Sequence, residues 1–256
     1  MQPKIVLITG ASGGLGRALV RAFARQGSRI AITGRSKEKL EALAEEISRE
    51  GSDIMVWPSD ITQLDQVSTM EAGITRQLGT VEILINNAGI ARAAGFLEMT
   101  AEFWEEVLKT NLTGTYHCCK AFLPGMIHSG WGRIINIAST TAKVAYSHAS
   151  AYTASKHAVL GLTRALALET AKLGVTVNAI CPGYLDTDLT YRNAQLMATK
   201  TGKSVEAVLS LFCKSSPQNR LIAPEEVAEV ALLIASERAA GMTGQAINVD
   251  GGAVMI

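Results

Sequence analysis

Short runs rich in β-branched residues alternate with longer amphipathic stretches along the whole chain, and this alternation decides the class of fold. The runs Lys4 to Thr9, Arg29 to Thr33, Ile54 to Trp57, Val81 to Asn86, Arg133 to Ala138, Val175 to Ile180 and Ala246 to Val249 have the length and composition of strands buried on both faces. Between them, Gly14 to Gln26, Lys37 to Glu50, Leu64 to Leu78, Glu102 to about His128, Tyr152 to Leu173 and Pro224 to Ala235 read as helices. Ser36 and Thr62 are expected N-caps, and Pro224 followed by Glu225 and Glu226 reads as a helix start. Parallel strands need long crossovers, so the pattern predicts an α/β fold: a doubly wound parallel sheet of seven strands with helices on both faces. No repeat, linker or low-complexity tract interrupts residues 1–256, which read as one domain.

Composition removes several classes of function. Lys plus Arg total 24 against 23 Asp plus Glu, a net charge of +1 that gives no pull toward nucleic acid or an anionic membrane. Met1-Gln2-Pro3-Lys4 leads directly into the first strand without the design of a signal peptide, and no apolar run reaches the ~18 residues of a membrane span. The expectation is a cytoplasmic protein. Cys118, Cys119, Cys181 and Cys213 stand in apolar surroundings without a C-x-x-C spacing, so they read as reduced packing residues. His117, His128, His148 and His157 lack ligand spacing as well, and no metal is expected.

The first strand ends in Thr9-Gly10-Ala11-Ser12-Gly13-Gly14-Leu15-Gly16, directly before a helix. Such a turn serves an ordinary tight βα connection, but it also lets backbone N–H groups approach a pyrophosphate at a helix N-terminus, where the dipole favours negative charge. Its spacing is T-G-x3-G-x-G rather than the common G-x-G-x-x-G. Farther along, Tyr152 and Lys156 lie four residues apart on one expected helix face, with Ser139 thirteen residues upstream of the tyrosine at the end of a strand-like run. A phenol with a pKa near ~10 needs roughly 4 kcal/mol of differential stabilisation to work near neutral pH, within reach of a close cation and a bound cofactor charge. A lone Tyr-x3-Lys pair occurs by chance on surface helices; the serine and the glycine turn give this one its weight.

These glycines, with Asn86-Asn87-Ala88-Gly89 after the fourth strand, Asn111, Ser139, Tyr152 and Lys156, resemble the short-chain dehydrogenase/reductase family in order and spacing along the whole chain. The resemblance implies a single NAD(P)-binding Rossmann-type domain. It implies a pyrophosphate loop of Gly10, Ser12, Gly13, Gly14, Leu15 and Gly16, adenine contacts from Asp60 and Ile61, and a ribose border of Asn87, Ala88 and Gly89. It further implies that Ser139 orients a carbonyl, Tyr152 transfers the proton, Lys156 holds the nicotinamide ribose and lowers the tyrosine pKa, and Asn111 anchors a water relay to Lys156. Asn111 and its neighbours Thr110, Thr113 and Gly114 weaken helix propensity in mid-segment and would allow a local distortion. Pro182, Gly183, Leu185 and Thr187 would engage the nicotinamide and present the face that gives pro-S transfer.

Cofactor choice falls to Ile32-Thr33-Gly34-Arg35-Ser36 at the end of the second strand. No acid stands there to receive ribose hydroxyls, while Arg35, with Ser36 as a second donor, suits a 2′-phosphate. NADP(H) is therefore expected over NAD(H), unless Arg35 only opens the charged helix face of Lys37, Glu38 and Lys39.

Residues 188–223 read as a mobile substrate lid, with Val205, Val208, Leu209 and Phe212 at helical spacing and Tyr191, Leu196 and Met197 as an apolar wall. The stretch Ile135 to Lys143, with His148 and Tyr152 to His157, resembles the 3-oxoacyl thioester and polyketide ketoreductase branches. That implies reduction of a 3-oxoacyl thioester with Thr141, His148, Tyr184, Tyr191 and Met197 near the substrate. Leu173 replaces the basic residue that carrier-protein reductases place before the glycine ending this helix, with Lys172 shifted by one. The lid length also resembles hydroxybutyrate dehydrogenases, although Ala91 and Ala149 stand where that group has polar residues. Dehydrogenation of a hydroxybutyrate-like, cyclic or hydrophobic secondary alcohol is the alternative, and a non-catalytic dinucleotide sensor a further one. The family implies a homotetramer; the long helices around Phe122 and Leu160 carry apolar residues on more than one face, and the tail Ala253-Val254-Met255-Ile256 is expected to be packed.

Overall fold

A computed structural model describes residues 3–256; Met1 and Gln2, at the expected lead-in to the first strand, lie outside the described residues. In chain order the elements are β1 (Ile5–Thr9), α1 (Gly14–Arg25), β2 (Arg29–Gly34), α2 (Lys37–Ser48), β3 (Ile54–Pro58), α3 (Leu64–Gln77), β4 (Ile83–Asn86) and α4 (Ala101–Leu108). There follow α5 (Gly114–Ser129), β5 (Gly132–Ile137), α6 (Ser150–Thr170), β6 (Val175–Pro182), α7 (Asp188–Thr201), α8 (Val205–Lys214), α9 (Pro224–Ala235) and β7 (Ala246–Val249). The seven strands form one parallel sheet in the order β3-β2-β1-β4-β5-β6-β7, and the chain reverses direction across the sheet between β1 and β4. A sheet wound this way opens its ligand crevice at the carboxyl ends of the strands beside that switch point.

Alternate strand residues feed two cores. In β1, Val6 and Ile8 point toward α1, α2 and α9, packing with Leu19, Phe23, Leu40 and Val227. Ile5 and Leu7 point the other way, with Met70, Phe122 and Val177. Both faces are covered, so the strands read as continuous apolar runs, and their ends differ from expectation by only one or two residues. No helix among the described residues is long and apolar enough to cross a membrane.

Three expectations need correction. Thr62 does not cap α3: the Asp60 carboxylate accepts from Thr62 N at 2.9 Å, the turn closes one residue later, and Gln63 takes the cap position. The segment from Glu102 to His128 is not one helix, because a π-helical turn at Lys109–Thr113 separates α4 from α5. Residues 188–223 hold two helices; Val208 and Phe212 of α8 pack on Ala194 and Ala198 of α7 as a small separate core. In the tail, Val254 is buried, whereas Met255 and Ile256 are exposed on the protomer. Other starts match: the Ser36 hydroxyl accepts from Lys39 N to cap α2, and the Glu226 carboxylate accepts from Ala223 N at 2.9 Å to open α9.

Candidate active site

The glycine turn between β1 and α1 is built without room for side chains. Gly10 has φ +63°, and a Cβ there would lie 2.7 Å from Ala88 Cα; one on Gly16 would lie 2.7 Å from Ala11 Cα. Gly13 is the N-cap of α1, no side chain caps that helix, and no acid stands in its first turn, so its first N–H groups stay open for an anion. Leu15 is buried beneath the turn and Ser12 is half-buried at its edge. Two bonds from Asn87 Nδ2, to Thr9 O at 2.9 Å and Gly10 O at 3.0 Å, staple the loop after β4 to this turn. The Thr9 hydroxyl returns the link by accepting from Asn87 N and Ala88 N, both at 3.0 Å. The Asn87 side chain thus shapes the loop, leaving backbone at Ala88 and Gly89 to border a ligand.

Arg35 is exposed at the end of β2 and has no ion-pair partner among the described residues. Ser36 is engaged instead, capping α2 and donating to Glu38 Oε2 at 2.9 Å, which leaves the Arg35 guanidinium as the unengaged donor of the expected pair. Asp60 is half-buried and held by Gln66, whose Oε1 accepts from Asp60 N at 2.8 Å; the neighbouring Ile61 is buried and its carbonyl meets His117 Nδ1 at 3.0 Å. These residues fit a dinucleotide: an uncapped helix N-terminus, a floor that admits no Cβ, and a free guanidinium where an NAD-type site would carry an acid.

Ser139 follows β5 as the cap of a short 3-10 turn, its hydroxyl accepting from Thr141 N at 3.2 Å. Tyr152 and Lys156 sit in the first turns of α6, with Lys156 Nζ 5.8 Å from the Tyr152 ring centroid. Lys156 is only 5% exposed, and its ammonium donates to Ile137 O at 2.7 Å. Burial brings its pKa down to about 8. The Tyr152 phenol moves the other way: burial raises its pKa, the Ser139 hydroxyl lowers it in part, and Tyr184 and Cys181 add to the rise. No lowering of the phenol by Lys156 accompanies this arrangement, in which the ammonium donates to the Ile137 carbonyl.

Asn111 lies in the π-helical turn and is buried, not solvent-facing. Its Oδ1 accepts from Ile90 N at 2.8 Å, and its Nδ2 donates to Ile90 O and to Ser155 Oγ, both at 3.0 Å. Ser155 in turn donates to Tyr152 O at 2.7 Å, so Asn111 reaches α6 through a serine that sequence reasoning missed. A Cβ on Gly89 would stand 3.1 Å from Asn111 Oδ1 and 3.6 Å from Lys156 Nζ, so its absence keeps open the space between the two. Also missed was a buried polar chain behind the site: Asn86 Nδ2 donates to Asn136 Oδ1 at 2.8 Å, and Asn136 Nδ2 to Thr163 Oγ1 at 2.9 Å. The only sequence signal for it is polar residues inside otherwise apolar strands.

On the substrate side, Pro182 ends β6, and a Cβ on Gly183 would lie 3.1 Å from Asp250 Cα. Leu185 bridges to Ile222, and Thr187 comes down on the glycine turn, its Cγ2 2.6 Å from where a Gly14 Cβ would be. Tyr184 stacks on Phe212 with centroids 4.3 Å apart, which ties α8 to the loop beside Tyr152. Thr141 is buried and its hydroxyl has no partner among the described residues. His148 is exposed at φ +61° and its carbonyl accepts from Ala94 N at 2.9 Å, which marks it as a rim residue. Tyr191 directs its hydroxyl to Asp186 at 3.0 Å, and Met197 is exposed on α7; among the described residues no hydrogen bond links either to Ser139, Tyr152 or Lys156.

Comparison with known proteins agrees with this geometry. The profile described as short chain dehydrogenase matches residues 4–197. A D-beta-hydroxybutyrate dehydrogenase of Rhizobium meliloti is 36% identical over 97% of this chain and 98% of its own. The 3-oxoacyl-acyl-carrier-protein reductase of Aquifex aeolicus is 37% identical over 98% of each. The crystal structure of a single-residue variant of actinorhodin polyketide ketoreductase with NADPH superimposes with a TM-score of 0.95 at 35% identity, over 98% of this chain and 97% of that one. With glycine turn, serine, tyrosine and lysine assembled on one edge of a seven-stranded parallel sheet, the chain belongs to the short-chain dehydrogenase family.

Proposed function

We propose that this oxidoreductase reduces a ketone to a secondary alcohol with NADPH, and that the ketone is a 3-oxoacyl thioester. The observation that carries the reaction is the convergence of Ser139, Tyr152 and Lys156 at the carboxyl edge of the sheet, one loop away from the uncapped glycine turn. Gly10 to Gly16 hold the pyrophosphate, Arg35 the 2′-phosphate, Lys156 the nicotinamide ribose, and Pro182 to Thr187 the carboxamide. When bound, NADPH supplies a hydride to the carbonyl carbon. The Ser139 hydroxyl orients the carbonyl oxygen, and Tyr152 donates its proton to the oxygen as negative charge develops there. A raised phenol pKa keeps that proton in place at neutral pH, which suits the reductive direction. Asn111, held by Ile90 and Ser155, borders the space through which Lys156 is resupplied with a proton.

Support for the thioester comes from similarity to the Aquifex reductase and to the polyketide ketoreductase. Similarity to the Rhizobium hydroxybutyrate dehydrogenase supports a second reading, oxidation of a small 3-hydroxy acid. A panel of 3-oxoacyl thioesters, cyclic ketones and D-3-hydroxybutyrate, each with NADP(H) and NAD(H), separates the two. The expected outcome is the highest kcat/KM for a thioester with NADPH, and a preference moved toward NADH in Arg35→Asp. Faster oxidation of hydroxybutyrate with NAD would establish the second reading; NADPH binding without turnover on any substrate would leave a dinucleotide sensor.

A further inference from the structure

Behind the catalytic turn, Lys143 makes a connection that neither cofactor binding nor proton transfer explains. Its backbone N–H closes the Thr140–Ala142 turn by donating to Thr140 O at 3.0 Å, so it is the residue on which the Ser139 turn ends. Its half-buried ammonium then crosses to the end of the chain, donating to Ala246 O at 2.8 Å and to Ile256 O at 2.5 Å. Holding a lysine in one rotamer costs side-chain entropy, which a surface lysine does not give up without charge-assisted bonds in return.

The segment that Lys143 reaches is itself shaped by internal bonds. The buried Asp250 carboxylate accepts from Gly252 N and Val254 N, both at 2.9 Å, and folds residues 250–254 into a compact turn. The Asn248 side-chain amide donates to Val254 O. This strap also presses on the nicotinamide loop, where a Gly183 Cβ would stand 3.1 Å from both Asp250 Cα and Cβ. On its other side Ser216, just after α8, donates to Gly251 O at 3.1 Å, and Pro217 lies 3.6 Å from where a Gly252 Cβ would be. One short strap thus touches the catalytic turn, the nicotinamide loop and the base of the α7–α8 hairpin.

We infer that Lys143 is a positioning residue: through the strap at residues 246–256 it sets the Ser139 turn in register with the nicotinamide loop and the lid helices. The inference rests on the ketone-reduction reading for its kinetic consequence and on hydrogen bonds alone for its structural one. Ser139 must hold the carbonyl within a fraction of an ångström, and the strap is what joins its turn to the two elements that place the substrate.

The test compares wild type, Lys143→Met, Lys143→Arg and a chain lacking Met255 and Ile256, on a ketone that wild type reduces. Lys143→Met and the shortened chain are expected to lose about tenfold or more in kcat while the NADPH Kd, read by nicotinamide fluorescence, stays within about twofold. Lys143→Arg restores most of the rate, and combining Lys143→Met with the shortening adds little to either alone. Hydrogen exchange at Thr141, Ala142 and Lys143 rises in both altered chains, a readout that needs no substrate. Unchanged kcat and exchange in Lys143→Met would overturn the inference, as would effects of the two changes that multiply. If wild type reduces no ketone, the functional reading fails and the exchange measurement still decides the coupling.

Discussion

Tyr152 and Lys156 have proton affinities displaced in opposite directions before any cofactor arrives, and the cause is shared burial rather than mutual contact. Moving the lysine from the ordinary 10.5 to about 8 corresponds to about 3 kcal/mol of destabilisation of its charged form. The folded pKa lies below the unfolded one, so the unfolded chain binds more protons between pH 8 and 10.5. Cofactor-free stability therefore rises with pH across that window, and below about pH 8 the full cost is present. Lys156→Met is expected to raise the Tm of the cofactor-free protein at about pH 7 by several degrees, checked by calorimetry, while abolishing turnover; an unchanged or lower Tm would contradict the burial cost. The Tyr-x3-Lys pair, Ser139 and the glycine turn were legible in the sequence because each is a local motif. Their partners were not: Ser155 and Lys143 act through bonds to residues far along the chain, and neither has a spacing that announces it.

At the scale of elements, the π-helical turn at Lys109–Thr113 shows what propensity does and does not reveal. Thr110, Asn111, Thr113 and Gly114 marked the weak point in a long apolar segment, and the chain breaks its helical register there. Where Asn111 then points depends on Ile90 and Ser155, which only the fold brings to it. Ser155→Ala would orphan one N–H of a buried amide, at a cost of about 1–3 kcal/mol, and loosen Asn111. The expected result is a drop in kcat of about tenfold with NADPH binding retained, read in steady-state kinetics; wild-type kcat would show that Ile90 alone suffices. Helix α7 escaped the sequence reading because its buried face is Thr190, Ala194 and Ala198, small residues four apart that leave little hydrophobic signal. Thr62 departs from its expected cap role for a different reason: Asp60 captures its N–H before the helix begins.

For the whole molecule, the seven strands and their parallel character followed from apolar runs separated by helix-length crossovers, while the sheet order that creates the crevice is a tertiary outcome. Leu168 on α6 is 84% exposed, Tyr116 on α5 is 47% exposed, and Met255 and Ile256 stand open, apolar side chains that a partner subunit would cover. A homotetramer burying these helix faces and the tail is expected, with a light-scattering mass about four times the 27.1 kDa of one chain; a monomeric mass would contradict it. The chain's architecture converges on one proton, that of the Tyr152 hydroxyl. The measurement that bears on it most directly is NADPH oxidation by Tyr152→Phe with a 3-oxoacyl thioester, alongside NADPH binding to the same protein. Loss of kcat by about 10²–10⁴ with NADPH affinity within about twofold of wild type is expected. Retained turnover would contradict the assignment of Tyr152 as the proton donor.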